Sequence, residues 1–161
     1  YARHYATDEP IPDALIQKIV RSERFNQGFI TVEYLAASIL DLDWHTLTDT
    51  TRRDAGAFEQ STFSRIRLMP EIVSRYRSPY FAHIFSGGYS AGYYSYIWAE
   101  VLDADAFEAF KENGLFDRKT AEAFRRNILE YGGTEDPMVL YERFRGKKPT
   151  IEPLLKKRGL M

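Results

Sequence analysis

The chain reads HIFSGGYSAGYYSYIWAEV at residues 83–101, and no other stretch has this density of polar aromatic side chains. The stretch holds four of the eleven tyrosines, one of the two tryptophans and three of the ten glycines of the 161-residue chain. Its second half has the apolar spacing of a helix, and a glycine pair precedes that half. The pattern predicts a glycine-rich turn and then a helix that begins near Tyr89, passes through Val101, allows a break at residues 103–105 and ends at Gly114.

The predicted helix has a tyrosine face that is separate from its aliphatic face. Helical spacing places four residues at i, i+4, i+7 and i+11 on this face, namely Tyr89, Tyr93, Tyr96 and Glu100. Two interpretations stay open. The phenols are either core or interface residues with hydroxyls that reach solvent, or neutral hydrogen-bond donors, with an ordinary pKa of about 10, that stabilise an oxyanion on an attacked carbonyl.

The glycine pair Gly87-Gly88 also has two interpretations. In a catalytic loop it is a flexible joint that brings Tyr89 to a ligand after binding. A phosphate-binding loop is disfavoured, because no Lys-Ser/Thr pair follows and the spacing fits neither the Walker nor the dinucleotide motif. The neighbouring His83 is ambiguous in isolation, since a lone histidine is more often structural than catalytic.

Composition excludes several classes of function. The 22 basic and 23 acidic residues give a net charge of -1, so there is no net electrostatic attraction of the chain to nucleic acid or to an anionic membrane. The absence of cysteine excludes disulfides, a thiolate nucleophile and cysteine-ligated zinc. No apolar run approaches the ~20 residues of a membrane-spanning helix. We expect a soluble protein with neither nucleic acid nor membrane as a partner.

The remaining sequence predicts more helices and no strand. Each helical segment is bounded by a capping residue, a proline or a glycine. The six predicted helices run from Pro12 to residues 26–28, from Thr31 to 41–49, from Asp54 to 68–69, from Asp117 to 132–133, from Asp136 to 146 and from Pro153 to 158. Residues 75–81 read as an extended arm. The predicted fold class is all-α, an irregular multi-helix array.

Five segments carry a resemblance to a known family. They read YARHY at residues 1–5, RYRSPYFAHIF at 75–85, GGYSAGYYSYIW at 87–98, RGKKP at 145–149 and LKKRGL at 155–160. In these segments the chain resembles the C-terminal end of the thimet oligopeptidase family of zinc metallopeptidases, most closely the bacterial peptidyl-dipeptidase (dipeptidyl carboxypeptidase) branch. The resemblance implies that residues 1–161 form a single helical C-terminal region of a larger, clam-shaped metallopeptidase.

The resemblance also implies roles for individual residues. His83 would bind the substrate backbone, and Tyr93 would line the substrate pocket. Tyr89 and Tyr96 would approach the scissile carbonyl, with Tyr96 the stronger candidate for oxyanion stabilisation. The two glycines before Tyr89 would let the loop move over short peptide substrates, from which the full-length enzyme would release C-terminal dipeptides after attack by a zinc-activated water.

The family's metal site has no counterpart in this sequence. That site is His-Glu-x-x-His plus a downstream glutamate, whereas none of His4, His45 and His83 precedes a glutamate and no two are four residues apart. We therefore expect zinc in the full-length enzyme, with no metal ligand, no bound zinc and no activity in these 161 residues alone. The further expected partner is the missing N-terminal part of the same chain, and the isolated fragment could dimerise.

A different class of function remains open. A free-standing, non-catalytic helical module could use the same tyrosine face to bind a peptide or a partner protein. We expect a cytoplasmic location, with the periplasm as the alternative.

Overall fold

The computed structural model describes residues 2–161, and Tyr1, the first residue of the YARHY segment, lies outside them. Within these residues the chain forms eight α-helices and no strand beyond an isolated bridge between Arg3 and Pro10. The prediction of an all-α, irregular multi-helix array is therefore confirmed. No helix within residues 2–161 is long and apolar enough to cross a membrane.

The contacts divide the chain into two compact units, which we describe separately. Of the described residues, the first unit comprises 2–93 with 158–160, and the second comprises 94–157 with 161. The first unit contains α1 (Asp13–Ser22), α2 (Gln27–His45), α3 (Ala55–Arg65), a 3-10 turn (Ser78–Tyr80) and α4 (Ala82–Phe85). The second contains α5 (Ser95–Asn113), α6 (Arg118–Phe124) with a π-helical turn after it (Arg125–Leu129), α7 (Pro137–Arg145) and α8 (Glu152–Arg158), except that Arg158 groups with the first unit.

Local capping chemistry sets several helix starts where the sequence predicts them. The carboxylates of Asp54, Asp117 and Asp136 accept hydrogen bonds from backbone N–H groups in the first turns of α3, α6 and α7. An N-terminal cap satisfies donors that have no partner inside the helix. At the C-terminal ends of α5 and α7, Gly114 and Gly146 adopt the positive φ that favours glycine.

The first unit is built around α2. A buried cluster of Ala37, Phe81, Ile84 and Tyr93 packs with the partly buried rings of Tyr34, Trp44 and Tyr76. Polar side chains tie the neighbouring elements together: the Asp43 carboxylate accepts from the Thr62 hydroxyl at 2.6 Å and from the Arg65 guanidinium. Buried Glu59 accepts from the Ser78 N–H and from the Arg77 guanidinium, each at 2.5 Å.

The second unit has an apolar cluster and a buried polar network. Val101, Ala104 and Leu154 pack together with Ile97. The buried carboxylate of Asp105 accepts from the Tyr141 hydroxyl at 2.5 Å, and the Arg145 guanidinium donates to the Asp105 carbonyl at 3.0 Å and pairs with the Glu112 carboxylate.

Several predicted helix boundaries are wrong. The helix predicted from Tyr89 begins at Ser95 and continues without a break through residues 103–105. The second helix begins at Gln27 rather than Thr31, because Asn26 takes the left-handed conformation and Gly28 lies inside the helix. The third ends at Arg65, since Arg67 has a positive φ of 54°. The predicted extended arm includes the 3-10 turn.

The α1 helix has an exposed apolar face. Its helical pattern predicts an amphipathic helix, yet no residue of α1 is buried. Leu15, Ile16, Ile19 and Val20 are each between 38% and 53% exposed. Exposed apolar surface of this kind is typical of a helix that packs against another part of a protein.

Candidate functional site

The predicted tyrosine face is divided between a loop and a helix. Residues 86–94, here called the tyrosine loop, join α4 to α5 and contain Tyr89 and Tyr93. Tyr96 is the second residue of α5, belongs to the second unit and is 40% exposed. A continuous helical face that includes Tyr89 and Tyr93 is therefore wrong, while Tyr96 and Glu100 still share a face of α5.

The loop departs from a helix at two residues with left-handed backbone. Gly88 has φ 82° and Ala91 has φ 54°. Hydrogen bonds close the loop back on α4: the Tyr89 N–H donates to the His83 carbonyl at 3.0 Å, the Gly92 N–H donates to the Tyr89 carbonyl at 2.8 Å, and the Ser90 hydroxyl donates to the Ile84 carbonyl at 2.5 Å. The Tyr89 side chain is consequently carried on a defined turn rather than on a helix.

The glycine pair has a steric role in this turn. A Cβ added at Gly87 would lie 2.8 Å from the His83 Cα and 3.0 Å from the His83 carbonyl oxygen, closer than Cβ contacts in proteins allow. A Cβ at Gly88 would meet no atom within 4 Å, but the positive φ there disfavours a side chain. Both glycines therefore fit a close turn against α4, whatever mobility the loop has.

The imidazole of His83 lies among aromatic rings. Its centroid is 4.9 Å from the ring of Tyr76, 5.8 Å from that of Tyr93 and 6.3 Å from that of Tyr89. The structure thus brings together three predicted site residues, His83, Tyr89 and Tyr93, in the first unit.

Tyr93 is part of the core. Only 4% of the Tyr93 surface is exposed, and the Tyr93 ring stacks on the ring of Tyr34 with 5.5 Å between centroids. Burial, and secondarily the nearby phenol of Tyr76, raise the pKa of the Tyr93 phenol above its ordinary value of about 10. The phenol stays neutral at pH 7. Its predicted place in a substrate pocket remains a prediction, because the packing alone accounts for its burial.

Sequence reasoning missed the residues of α2 that hold the tyrosine loop. Asp41 is fully buried, and its two carboxylate oxygens accept from the N–H groups of Ala91 and Tyr93, each at 2.9 Å. The Tyr34 hydroxyl donates to the Tyr93 carbonyl at 2.5 Å. The sequence carries no clear signal for this role, because Asp41 lies away from the apolar face that Val32, Leu35 and Ile39 form at helical spacing. Only the structure shows that the face with Ala37 and Asp41 is buried, and a buried carboxylate requires a partner.

No metal site is evident in the described part of the chain. No group of three or more His, Cys, Asp or Glu side chains that could hold a metal ion occurs in residues 2–161. The three histidines have different neighbours. His4 accepts a hydrogen bond within its own N-terminal turn, His45 lies beside Asp41, and His83 lies among the aromatic rings.

Comparisons with known proteins point to one family. The model for "Peptidase family M3" matches residues 1–160. The chain is 43% identical to dipeptidyl carboxypeptidase of Escherichia coli over 99% of the chain and 24% of that protein. It is 40% identical to oligopeptidase A of the same organism over 98% of the chain and 23% of that protein, and 30% identical to saccharolysin of Saccharomyces cerevisiae over 98% of the chain and 22% of that protein. The chain thus spans about a quarter of the length of these relatives.

Proposed function

Because this chain belongs to peptidase family M3, a family of zinc metallopeptidases, we propose that it forms the substrate-binding and oxyanion-stabilising C-terminal part of an enzyme that cleaves short peptides. The observation that carries this proposal is the match of the family to residues 1–160. Release of C-terminal dipeptides is the proposed specificity, and the similarity to a protein called dipeptidyl carboxypeptidase supports it. The similarity to oligopeptidase A supports cleavage within short peptides as the alternative.

The zinc of the family does not fit the residues of this chain. No two of its three histidines have the spacing of the family's motif, and the described residues bring no metal-ligand group together. We propose that the zinc ligands belong to another part of the full-length protein, and that the 161 residues alone bind no stoichiometric zinc and hydrolyse no peptide. The functions of this chain are therefore binding, orientation and hydrogen-bond donation.

The tyrosine loop and the start of α5 supply the proposed donors. A phenol that is neutral at pH 7 donates a hydrogen bond without bringing a charge to the site. The phenols of Tyr96 and Tyr89 are proposed to donate to the carbonyl oxygen of the scissile bond as negative charge develops on it, with Tyr96 the stronger contributor. His83 is proposed to hydrogen-bond the substrate backbone, and Tyr93 to support the wall of the pocket.

The exposed face of α1 supports the inclusion of this chain in a larger protein. Four aliphatic side chains on one helix face water here, and packing against the preceding part of the polypeptide would bury them. The proposed location of that protein is the cytoplasm, with the periplasm as the alternative.

Substitution of Tyr96 in the natural full-length gene product tests the proposal. Loss of one oxyanion donor costs about 2.7–4 kcal/mol of transition-state stabilisation, so Tyr96→Phe should lower kcat by about 100- to 1,000-fold with a much smaller change in KM. Tyr94→Phe is the matched control, because Tyr94 is an exposed tyrosine next to the same helix start, and it should keep the wild-type kcat.

Two results would contradict the proposed function. A Tyr96→Phe enzyme with wild-type turnover would remove the donor role from Tyr96. A natural gene product that binds short peptides at this tyrosine loop but cleaves none, even with added zinc, would favour the free-standing peptide-binding module instead.

A further inference from the structure

Helix α2 holds the tyrosine loop through a buried carboxylate. The Asp41 side chain is fully buried, and a buried charge is costly unless it is paired or hydrogen-bonded. Its Oδ1 accepts from the Ala91 N–H at 2.9 Å and lies 2.8 Å from the Nδ1 of His45, and its Oδ2 accepts from the Tyr93 N–H at 2.9 Å. Both oxygens are thus engaged, and two of the three contacts are to the backbone of the tyrosine loop.

A second residue of α2 completes the hold on Tyr93. The Tyr34 hydroxyl donates to the Tyr93 carbonyl oxygen at 2.5 Å. The N–H and the carbonyl of Tyr93 are therefore both bound by side chains of α2, which lie 52 and 59 residues earlier in the sequence. This part of the loop takes its geometry from α2 as well as from its own hydrogen bonds.

The loop needs such support because its backbone is locally unfavourable. Ala91 has φ 54°, a left-handed conformation that a residue with a Cβ rarely adopts. Conformations of this kind persist when surrounding contacts fix them, and they are frequent at functional sites. The Ala91 N–H is one of the two loop groups that Asp41 binds.

The contacts run from Asp41 to the backbone of Tyr89. Asp41 fixes the N–H groups of Ala91 and Tyr93, and the N–H of Gly92 between them donates to the Tyr89 carbonyl at 2.8 Å. The Tyr89 N–H in turn donates to the His83 carbonyl at 3.0 Å. Asp41 is therefore connected through the loop backbone to the residue that carries the Tyr89 phenol.

We propose that Asp41 is a positioning residue, which holds the tyrosine loop in the geometry that presents Tyr89 and His83 to the substrate. This proposal rests on the proposed function, because it assigns Asp41 an effect on turnover through the loop. Tyr34 acts in the same way through the carbonyl of Tyr93.

The test is Asp41→Asn in the natural full-length gene product. Asparagine has nearly the same shape, but it replaces one carboxylate oxygen with an NH2 group that faces a backbone N–H, so either Ala91 or Tyr93 loses its acceptor. We expect the amide hydrogens of Ala91 and Tyr93 to exchange at least tenfold faster. We expect kcat to fall about 100-fold with KM changed less than threefold, because a displacement of about 1 Å in a catalytic group has this effect on the rate.

Asp43→Asn is the matched control. Asp43 also lies on α2 and makes side-chain hydrogen bonds, but its partners are Thr62 and Arg65 rather than the tyrosine loop. This variant should leave kcat and the exchange of the loop amides as in the wild-type protein. If Asp41→Asn does not yield folded protein, Tyr34→Phe replaces it and should change both readouts in the same direction, with kcat reduced about fivefold.

The outcomes separate this proposal from the proposed function. Three results would each overturn the positioning role. The amide hydrogens of Ala91 and Tyr93 could exchange at the wild-type rate in Asp41→Asn, or they could exchange faster while kcat stays unchanged. The third result is an equal loss of kcat in Asp43→Asn. If the wild-type protein cleaves no peptide, the proposed function fails, and hydrogen exchange still reports whether Asp41 holds the loop.

Discussion

Gly87→Ala is expected to destabilise the tyrosine loop although it adds one methyl group. The added Cβ would lie 2.8 Å from the Cα of His83 and 3.0 Å from its carbonyl oxygen. Both are backbone atoms of α4, so the clash cannot be relieved by a side-chain rotation. Overpacking of this type costs about 1–3 kcal/mol, and the reduced freedom of the unfolded chain offsets about 0.4–1 kcal/mol. The middle of these two ranges leaves a net loss of about 1–2 kcal/mol.

Hydrogen exchange at the Tyr89 amide measures this loss directly. The Tyr89 N–H donates to the same His83 carbonyl that the new Cβ would approach. A loss of 1–2 kcal/mol in the closed loop corresponds to about 5- to 30-fold faster exchange of that amide. Gly92→Ala is the control, because a Cβ there would lie 3.5 Å from the nearest atom, the Tyr89 carbonyl oxygen, which is an ordinary contact.

Equal exchange rates in Gly87→Ala and Gly92→Ala would refute the steric argument. Slower exchange of the Tyr89 amide in Gly87→Ala would have a different meaning, since it would show that the glycine keeps the loop mobile and that alanine orders it. That result would favour the flexible joint that the sequence predicts for the glycine pair.

Two further predictions concern the cores of the two units. Ile84→Ala should lower the stability of the first unit by about 2–5 kcal/mol, because Ile84 is fully buried, whereas Phe85→Ala at the exposed next position should cost much less. Denaturant unfolding monitored by circular dichroism compares the two variants. Equal losses of stability would contradict the packing argument. In the second unit, burial and then the hydrogen bond to Asp105 raise the pKa of the Tyr141 phenol above its ordinary value of about 10. A group whose pKa is higher in the folded state contributes stability that is present below its unfolded pKa and is lost as the pH rises toward the folded pKa. The stability of the wild-type protein should therefore fall above about pH 10, and that of Tyr141→Phe should fall less. Thermal midpoints at pH 8 to 11 measure the difference. Parallel pH curves for the two proteins would disprove the linkage.

The sequence predicts features whose causes are local. Aspartates followed by helical apolar spacing mark the starts of α3, α6 and α7, because an N-terminal cap depends only on the three residues that follow it. Gly114 and Gly146 mark helix ends for the same reason. The all-α class follows from the sum of such signals.

The tyrosine loop could not be predicted in this way. Apolar spacing continues smoothly from Tyr89 into α5, and it therefore predicts a helix six residues too long at its start. Residues 89–94 stay outside the helix because Ala91 has a left-handed backbone and because Asp41, about 50 residues away, accepts from the N–H groups of Ala91 and Tyr93. Periodicity carries no information about a partner so distant in the sequence.

The candidate site was predicted in part. His83, Tyr89 and Tyr93 come together in the first unit, whereas Tyr96 lies on a separate element. The resemblance identified these residues by type and order, but it could not show that Tyr93 is packed in the core. Nor could it show that Asp41 supports the loop, since a carboxylate near the predicted end of a helix has the pattern of an ordinary solvated residue.

The long separation between Asp41 and Tyr93 has a consequence for biosynthesis. The two residues are 52 positions apart, and ribosomes add about 5–20 residues each second, so the carboxylate is made roughly 3–10 s before its backbone donors. Until those donors arrive, Asp41 must remain hydrated, and α2 cannot bury this face. The tyrosine loop therefore takes its final shape only after the helix that holds it has been made.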